Sequence, residues 1–599
     1  MNLLIKHYVN NAVKIYSDKT AIKYKDKSYS YADVKKHTES MKQIIKCQKK
    51  EKVIILLDRS FELVITILTA IELDMVFIPL DIKSPTQKIA DIIKEVNPSY
   101  VITNNTMIGV FSKIIPFQNL KLEYYASVII VNTSRVFQTD IFEEDDRYIY
   151  FTSGSSGTPK GILGRDSSLC NFINWEIRTL DVSHEMNVSQ LTNPSFDPFL
   201  RDIFVPLFSG GTICIPDDEI IKNPYRLIQW ILDMQINIIH IVPHLFRLLS
   251  KYMTNSQYMP HLKFVLLAGE ILRGQDVKAF MEKCMNNVQL INLYGPTETT
   301  LAKFCYKIDK NDIDKSIMPV GKPIDNYSDA CIYDEDFHVC PDGSNGTIFI
   351  SSLFTSRGYY NNKLLTDELF TKDPRLPDFI QYNTGDIGTI DSNGNLIVIG
   401  RNDNQVKIAG RRVCLEEIEA QIANAAGISN CIVFRKSNQD EDMLVLWACL
   451  ETNQDIDTRI TRKKLLEYLP EYMIPVSFVT IDKMPINNNG KIDRKKVEEI
   501  ALKLLERANQ NISLNDPVTL KVIEYIREKA DQNFRLEDKN TNNSITDIFH
   551  SINYIGLLVN LEEEFDIEIP DTFLDISNFK NLPELIDSIN EIVEKGDST

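Results

Sequence analysis

No apolar run in this 599-residue chain approaches the roughly eighteen residues that a membrane-crossing helix needs. The opening stretch, MNLLIKHYVNNAVKIYSDK, has neither a sustained apolar segment nor a small-residue cleavage site, so no secretory signal is expected in it. The ten cysteines lie far apart, with no CxxC and no His/Cys cluster of metal-binding spacing. That pattern argues against a disulfide framework or a zinc site and for reduced core thiols in the cytoplasm. Positive charge is short as well. The 66 Lys and Arg face 83 Asp and Glu, a net charge of −17, which weighs against a nucleic-acid surface. Neither a membrane nor a nucleic acid is therefore expected as a partner. The acid is unevenly spread: from Ser513 onward 19 Asp and Glu face 7 Lys and Arg. Such asymmetry fits a small acidic domain that docks on basic partners.

The chain is 43% hydrophobic and 25% charged, a globular composition. Its length suggests about three to five folding units. Up to about residue 395, short β-branched runs alternate with amphipathic stretches. VIILL at Val53 is followed by the helical FELVITILTAIEL and the strand-like VFIPLD, and TICIP, INIIHIVP and FVLLAGE repeat the pattern. This predicts α/β layers with mainly parallel strands. The turn-rich DSNGN at Asp391 precedes two β-rich runs and the helical LEEIEAQIANAA, so a second, small α/β domain is expected. After the polar ANQNISLNDP come only helical patterns, which describe a small bundle. The expected domains are 1–398, 399–508 and 516–596.

YIYF at Tyr148 runs into TSGSSGTPKG, Thr152 to Gly161. Gly154, Gly157 and Gly161 let backbone approach an anion closely. The hydroxyls of Thr152, Ser153, Ser155, Ser156 and Thr158 can donate to phosphate oxygens, and Lys160 adds positive charge. The spacing is not GxxxxGK[ST], which disfavours a P-loop ATPase. Taken alone, the stretch also reads as a plain Ser/Gly surface loop.

Further motifs follow in order: LAGE at Leu267, NLYGPTETT at Asn292, TGD at Thr384, GRNDNQVKIAGRRV at Gly400 and NNNGKIDR at Asn487. Over about residues 5 to 505 the chain resembles the superfamily of acyl-CoA synthetases, nonribosomal peptide synthetase adenylation domains and luciferases. YGPTETT and GRxDxQVKI favour the peptide-synthetase branch. The resemblance implies a large adenylation core, a mobile C-terminal subdomain and two half-reactions. ATP and a carboxylate first give an acyl adenylate and pyrophosphate, and a thiol then displaces AMP. Adenylation brings a carboxylate against a polyanion, so cations and hydrogen-bond donors must offset the repulsion, with Mg²⁺ on the phosphates. By motif position, Tyr294 stacks on adenine and Asn292 bonds its edge. Thr297 contacts the α-phosphate, Glu298 holds magnesium, Asp386 takes the ribose hydroxyls and Arg401 reaches the nucleotide. Lys491 lies between carboxylate and phosphate in adenylation, Asp403 is the hinge, and Arg412 serves the second half-reaction. Three positions depart from the usual pattern: Asp166 where a His is common, Asn383 where a basic residue is usual, and Ala409 where an Arg is frequent.

In SFDPFLRDIF, Asp197 matches the carboxylate that peptide-synthetase adenylation domains set against the substrate amine. An α-amino acid is therefore the expected substrate. The remaining pocket positions carry over to Pro198, Arg201, His240, Leu266, Ala268, Leu293, Leu301 and Ala302. Arg201 needs a partner if buried. Either the substrate side chain is acidic or polar, or Arg201 pairs with a protein carboxylate such as Asp202. IFHSINYIGLLVNLEEEFDIEIPD, Ile548 to Asp571, resembles the second helix of a carrier protein, and alignment on LEEEF puts Ser551 at the phosphopantetheine position. The usual Gly and Asp before that serine are missing. The resulting expectation is a loading module with ATP, Mg²⁺ and 4′-phosphopantetheine on Ser551. It would be modified by a phosphopantetheinyl transferase, and monomeric. No HHxxxDG or GxSxG is present, so condensation, tailoring or release falls to partner enzymes in trans. The alternatives are a stand-alone acyl- or aryl-acid ligase acting on CoA or a separate carrier, and a non-catalytic adenylate-binding scaffold.

Overall fold

The alternation of β-branched and amphipathic runs becomes, in a computed structural model, a set of sheets with covering helices. The structure describes residues 4–108, 121–133, 142–152, 159–254, 256–285, 287–401, most of 405–509 and a few positions beyond. The expected carrier bundle at 516–596 lies almost wholly outside the described residues. The chain falls into two compact units. One is Met1–Ile418 with Gln439–Met443 and Lys463–Met473, and the other is Glu419–Asn438, Leu444–Arg462 and Ile474–Thr599.

The first unit holds a nine-stranded sheet whose centre is parallel. Thr20–Tyr24, Thr212–Ile215, Asn187–Ser189, Ile238–Ile241, Phe264–Leu267 and Gln289–Tyr294 lie side by side in that order. An eight-stranded sheet places Asp146–Thr152, Val76–Pro79, Lys52–Ile55 and Tyr100–Asn104 in parallel and flanks them with antiparallel strands. A third, five-stranded sheet built on Gly346–Ser352 and Ile380–Ile390 is antiparallel throughout. The expectation of mainly parallel strands thus needs correction: the sheets are mixed. The third sheet's last hairpin is closed by DSNGN, where Asp391 accepts hydrogen bonds from the backbone of Asn393 and Asn395 at 2.9 and 2.8 Å. Such a tight turn can only join antiparallel neighbours.

Burial explains the helix Phe61–Glu72. Phe61 and every residue from Leu63 to Ile71 are buried, as in a helix packed on several sides. The Ser60 hydroxyl caps it by accepting from Leu63 N–H at 3.2 Å, an interaction worth about 1 kcal/mol. The second unit is a three-stranded sheet, Cys431–Ser437, Leu444–Glu451 and Ser477–Ile481. Val497 and Ala501 of the helix Arg494–Asn509 pack on Ile432, Phe434, Trp447 and Cys449. Arg494 closes the NNNGKIDR motif, and its guanidinium grips Glu419 at 2.5 and 3.1 Å and the Val433 carbonyl at 2.9 Å. Among the described residues no helix is long and apolar enough to cross a membrane.

Asp166, atypical by sequence, has a structural role. Buried in the first turn of Asp166–Leu180, it accepts three hydrogen bonds of 2.8 to 3.0 Å from the guanidinium of Arg147. Arg147 also meets Asp74 at 2.8 Å. Asp166→Asn leaves a buried guanidinium short of a charge and should cost about 3 kcal/mol. Urea denaturation checks this, and an unchanged midpoint would contradict it.

Candidate active site

Parallel strands gather the candidate acyl-binding residues. The register sets His240 beside Leu266 and Leu266 beside Ile291, two residues before Leu293. Leu266, Leu293, Leu301 and Ala302 join one buried apolar cluster with Phe199 and Leu200, and the partly buried Ala268 packs against it. Pro198 caps the helix Phe199–Ser209, which carries Arg201 and Asp202.

Asp197, just before that helix, is 5% exposed. Its carboxylate accepts from the Thr297 hydroxyl at 2.7 Å and from Leu301 N–H at 3.3 Å. Backbone shape aims that second donor: Thr300 and Leu301 both adopt left-handed conformations, at φ +65° and +57°. Two such non-glycine residues in a row store strain, which tends to gather at functional sites. Gly295 makes the close approach possible, because a Cβ there would stand 2.3 Å from the Leu301 carbonyl oxygen. Burial pushes the Asp197 pKa up to about 6, against the opposing pull of Thr297 and Leu301. Glu298 raises it further and Arg201 lowers it. The phenols of Tyr148 and Tyr150 are themselves raised, first by burial and then by the Asp197 charge.

Behind Asp197 lies a buried ionic cluster that the sequence does not announce. His240 Nδ1 meets Asp202 at 2.8 Å and its Nε2 meets Glu176 at 2.7 Å, with all three side chains sealed from solvent. Burial would lower the His240 pKa, but the carboxylates, Glu176 foremost, leave it raised. The other Asp202 oxygen accepts from Thr192 N–H at 2.9 Å. The expected Arg201–Asp202 pair is therefore not formed: Asp202 is committed to His240 and Thr192. Arg201 is 4% exposed and makes no hydrogen bond or ion pair among the described residues.

The nucleotide candidates form a second group. Thr152 and Lys160 are cross-strand partners at the ends of Asp146–Thr152 and Lys160–Arg165, so the glycine-rich stretch joins two paired strands. The Lys160 ammonium sits 5.9 Å from the Tyr359 ring centre. The Tyr359 hydroxyl donates to Glu298 at 2.9 Å and lies 3.2 Å from the Tyr382 hydroxyl. Asp386 is held at both oxygens, by the Tyr294 hydroxyl at 2.5 Å and by Arg401 at 2.6 Å. Tyr294 is buried against Phe304, and Asn292 donates to the Pro319 carbonyl at 2.9 Å. Thr297, expected at phosphate, has its hydroxyl on Asp197, and so couples the acyl and nucleotide groups.

Two of these partners carry little signal in the sequence: Tyr359, marked only by the short aromatic run GYY at Gly358, and Glu176, which has no local signal on its helix. Ser153, Gly154, Ser155, Ser156, Gly157, Thr158, Asp403, Lys491 and Ser551 lie outside the described residues. Arg412 falls in the strand Arg411–Cys414, opposite Lys407. Among the described residues no group of three or more His, Cys, Asp or Glu is arranged to hold a metal.

The sequence profile of the family described as AMP-binding enzyme matches residues 9–360. Zwittermicin A synthase ZmaJ of Bacillus cereus is 29% identical over 507 residues, covering 83% of this chain and 94% of that protein. Gramicidin S synthase 2 of Brevibacillus brevis is 28% identical over 94% of this chain, but the match spans only 12% of that protein. Among solved structures, the Vibrio cholerae adenylation domain AlmE in complex with glycyl-adenosine-5′-phosphate superposes with a TM-score of 0.72. It is 21% identical and covers 83% of this chain and 98% of that one. Holo-PA1221, a nonribosomal peptide synthetase protein containing adenylation and PCP domains, gives a TM-score of 0.73 at 21% identity, covering 94% of this chain and 92% of that one. At such identities the likeness establishes the adenylation-domain fold.

Proposed function

The chain belongs to the AMP-binding enzyme family, and we propose that it activates an amino acid with ATP as the aminoacyl adenylate and then loads the acyl group onto its own carrier segment. One observation carries the amino-acid reading: Asp197, a buried carboxylate with two neutral donors on it and no ion pair among the described residues. A buried anion of that kind is matched by a ligand cation, and a substrate ammonium supplies one as a charge-assisted hydrogen bond. The glycyl adenylate held by the structurally similar AlmE supports the same reading.

In this account Asp197 fixes the amine and thereby aims the α-carboxylate toward the nucleotide group. Thr297, bonded to Asp197, ties that orientation to the neighbouring Glu298. Lys160 and the loop hydroxyls offset the phosphate charge, Asp386 with Arg401 holds the ribose side, and Lys491 bridges carboxylate and phosphate. A single carboxylate completed by substrate phosphates and waters suits Mg²⁺, a hard oxygen-seeking ion, so Glu298 fits the residue expected to hold it. When bound, the ion neutralises phosphate charge.

Asp197 must be ionised to hold an ammonium, so kcat/KM for the amino acid should rise through a pH of about 6 and then level off. Bound ammonium favours the ionised form, so the same limb should lie lower in kcat. Asp197→Asn should remove the limb and cost about 100- to 1,000-fold. Amino-acid-dependent pyrophosphate exchange across pH 5 to 9 measures all three. A wild-type profile flat through pH 6, or full activity in Asp197→Asn, would contradict the assignment.

Loading in cis rests on Ser551 and on the likeness of most of the chain to an adenylation–PCP protein. Incubation with a broad-specificity phosphopantetheinyl transferase, CoA, ATP and the amino acid should add first the arm and then the aminoacyl mass to the intact chain. Ser551→Ala should lose both additions and keep pyrophosphate exchange. Absence of any addition to the wild type would favour a ligase acting on CoA or a separate carrier.

A further inference from the structure

Arg201 is a buried cation of the acyl region whose chemistry the amino-acid reading leaves unused. It stands in the first turn of Phe199–Ser209 and is 4% exposed, and its Nε is buried with no acceptor. No hydrogen bond or ion pair from its guanidinium exists among the described residues. A guanidinium cannot shed its proton to escape burial, so its donors call for acceptors from elsewhere. The nearby carboxylates are already engaged. Asp202 serves His240 and Thr192, Asp197 serves Thr297 and Leu301, and Glu176 serves His240 through one oxygen. The other Glu176 oxygen is buried and also unpartnered, yet it makes no bond to Arg201.

The surroundings define the ligand. Arg201 follows Asp197 by four residues at the start of one helix, and its charge lowers the Asp197 pKa. Leu266, Leu293, Leu301 and Ala302 make the buried surroundings of the acyl region apolar. The N-terminal turn of an eleven-residue helix adds a positive field at Arg201. A planar fork of donors is best matched by two coplanar oxygens.

We propose that the substrate is an acidic α-amino acid whose side-chain carboxylate is held by Arg201 while Asp197 holds its ammonium. This rests on the amino-acid reading above and extends it to the side chain. His240 is a positioning residue: by occupying Asp202 and Glu176, it keeps Arg201 available for the ligand.

The test is pyrophosphate exchange by the full chain with aspartate, glutamate and their next longer homologue, set against asparagine, glutamine, leucine and lysine. One dicarboxylic amino acid should exceed its own amide by about 100-fold in kcat/KM, since a site built to bond a polar group rejects analogues that lack it. Arg201→Leu should erase that preference, chiefly through the acidic substrate. It should not lower the thermal midpoint, because the guanidinium has no structural bond to lose. Arg201→Lys should keep part of the preference. A neutral or basic amino acid preferred by the wild type would overturn the inference and leave amino-acid activation standing. So would an Arg201→Leu variant that loses several degrees of stability and falls equally for every substrate, since that marks a structural arginine. Exchange with no amino acid at all would overturn both readings.

Discussion

The active region is organised around one unfavourable burial. Asp197 carries a carboxylate out of water with only a threonine hydroxyl and one backbone N–H to steady it. Two neutral donors offset part of the desolvation and no more, which is why its pKa stands near 6. Much of the local geometry serves this group. Gly295 lets the chain double back, the strained pair Thr300 and Leu301 turns an N–H inward, and Thr297 gives its hydroxyl to the carboxylate rather than to solvent. A carboxylate held this way is poised for a cation that arrives with the ligand.

Three carboxylate centres in the first unit show three solutions to the same electrostatic problem. Asp166 is neutralised by Arg147 in a bidentate pair that holds two elements together. Asp202 and Glu176 share His240, a closed arrangement with no access to solvent. Asp386 is held by Arg401 and Tyr294, one oxygen each, beside the candidate nucleotide residues. Asp197 differs from all of them in lacking a protein cation bonded to it among the described residues. The contrast separates carboxylates already matched by a protein cation from one that a ligand cation could match.

Sequence patterns revealed the parallel core because each buried strand is a short β-branched run bounded by turn residues, as in TICIP and FVLLAGE. They missed the antiparallel third sheet as a distinct layer, since its long strand Ile380–Ile390 alternates buried and half-buried residues and reads as general β structure. Within the site, Asp197, Thr297, Glu298 and Asp386 were legible because contiguous motifs carry them. Tyr359 and Glu176 were not, since each reaches the site from 61 or 64 positions away, and only tertiary packing makes them partners of Glu298 and His240. The choice of partner for Arg201 was likewise open from sequence: Asp202 is adjacent in the chain, but the helix turns it toward His240 instead.

If Asp197 holds the substrate ammonium, the amine should dominate ligand affinity. Calorimetric titration of the full chain with a stable aminoacyl-sulfamoyl adenosine and with its des-amino counterpart tests it without any turnover. The amine-bearing ligand should bind about 100-fold more tightly to the wild type, and Asp197→Asn should remove the difference. Net proton release should accompany binding near pH 6, as the carboxylate is driven to its ionised form. Equal affinity of the two ligands for the wild type, with no proton exchanged at that pH, would contradict it.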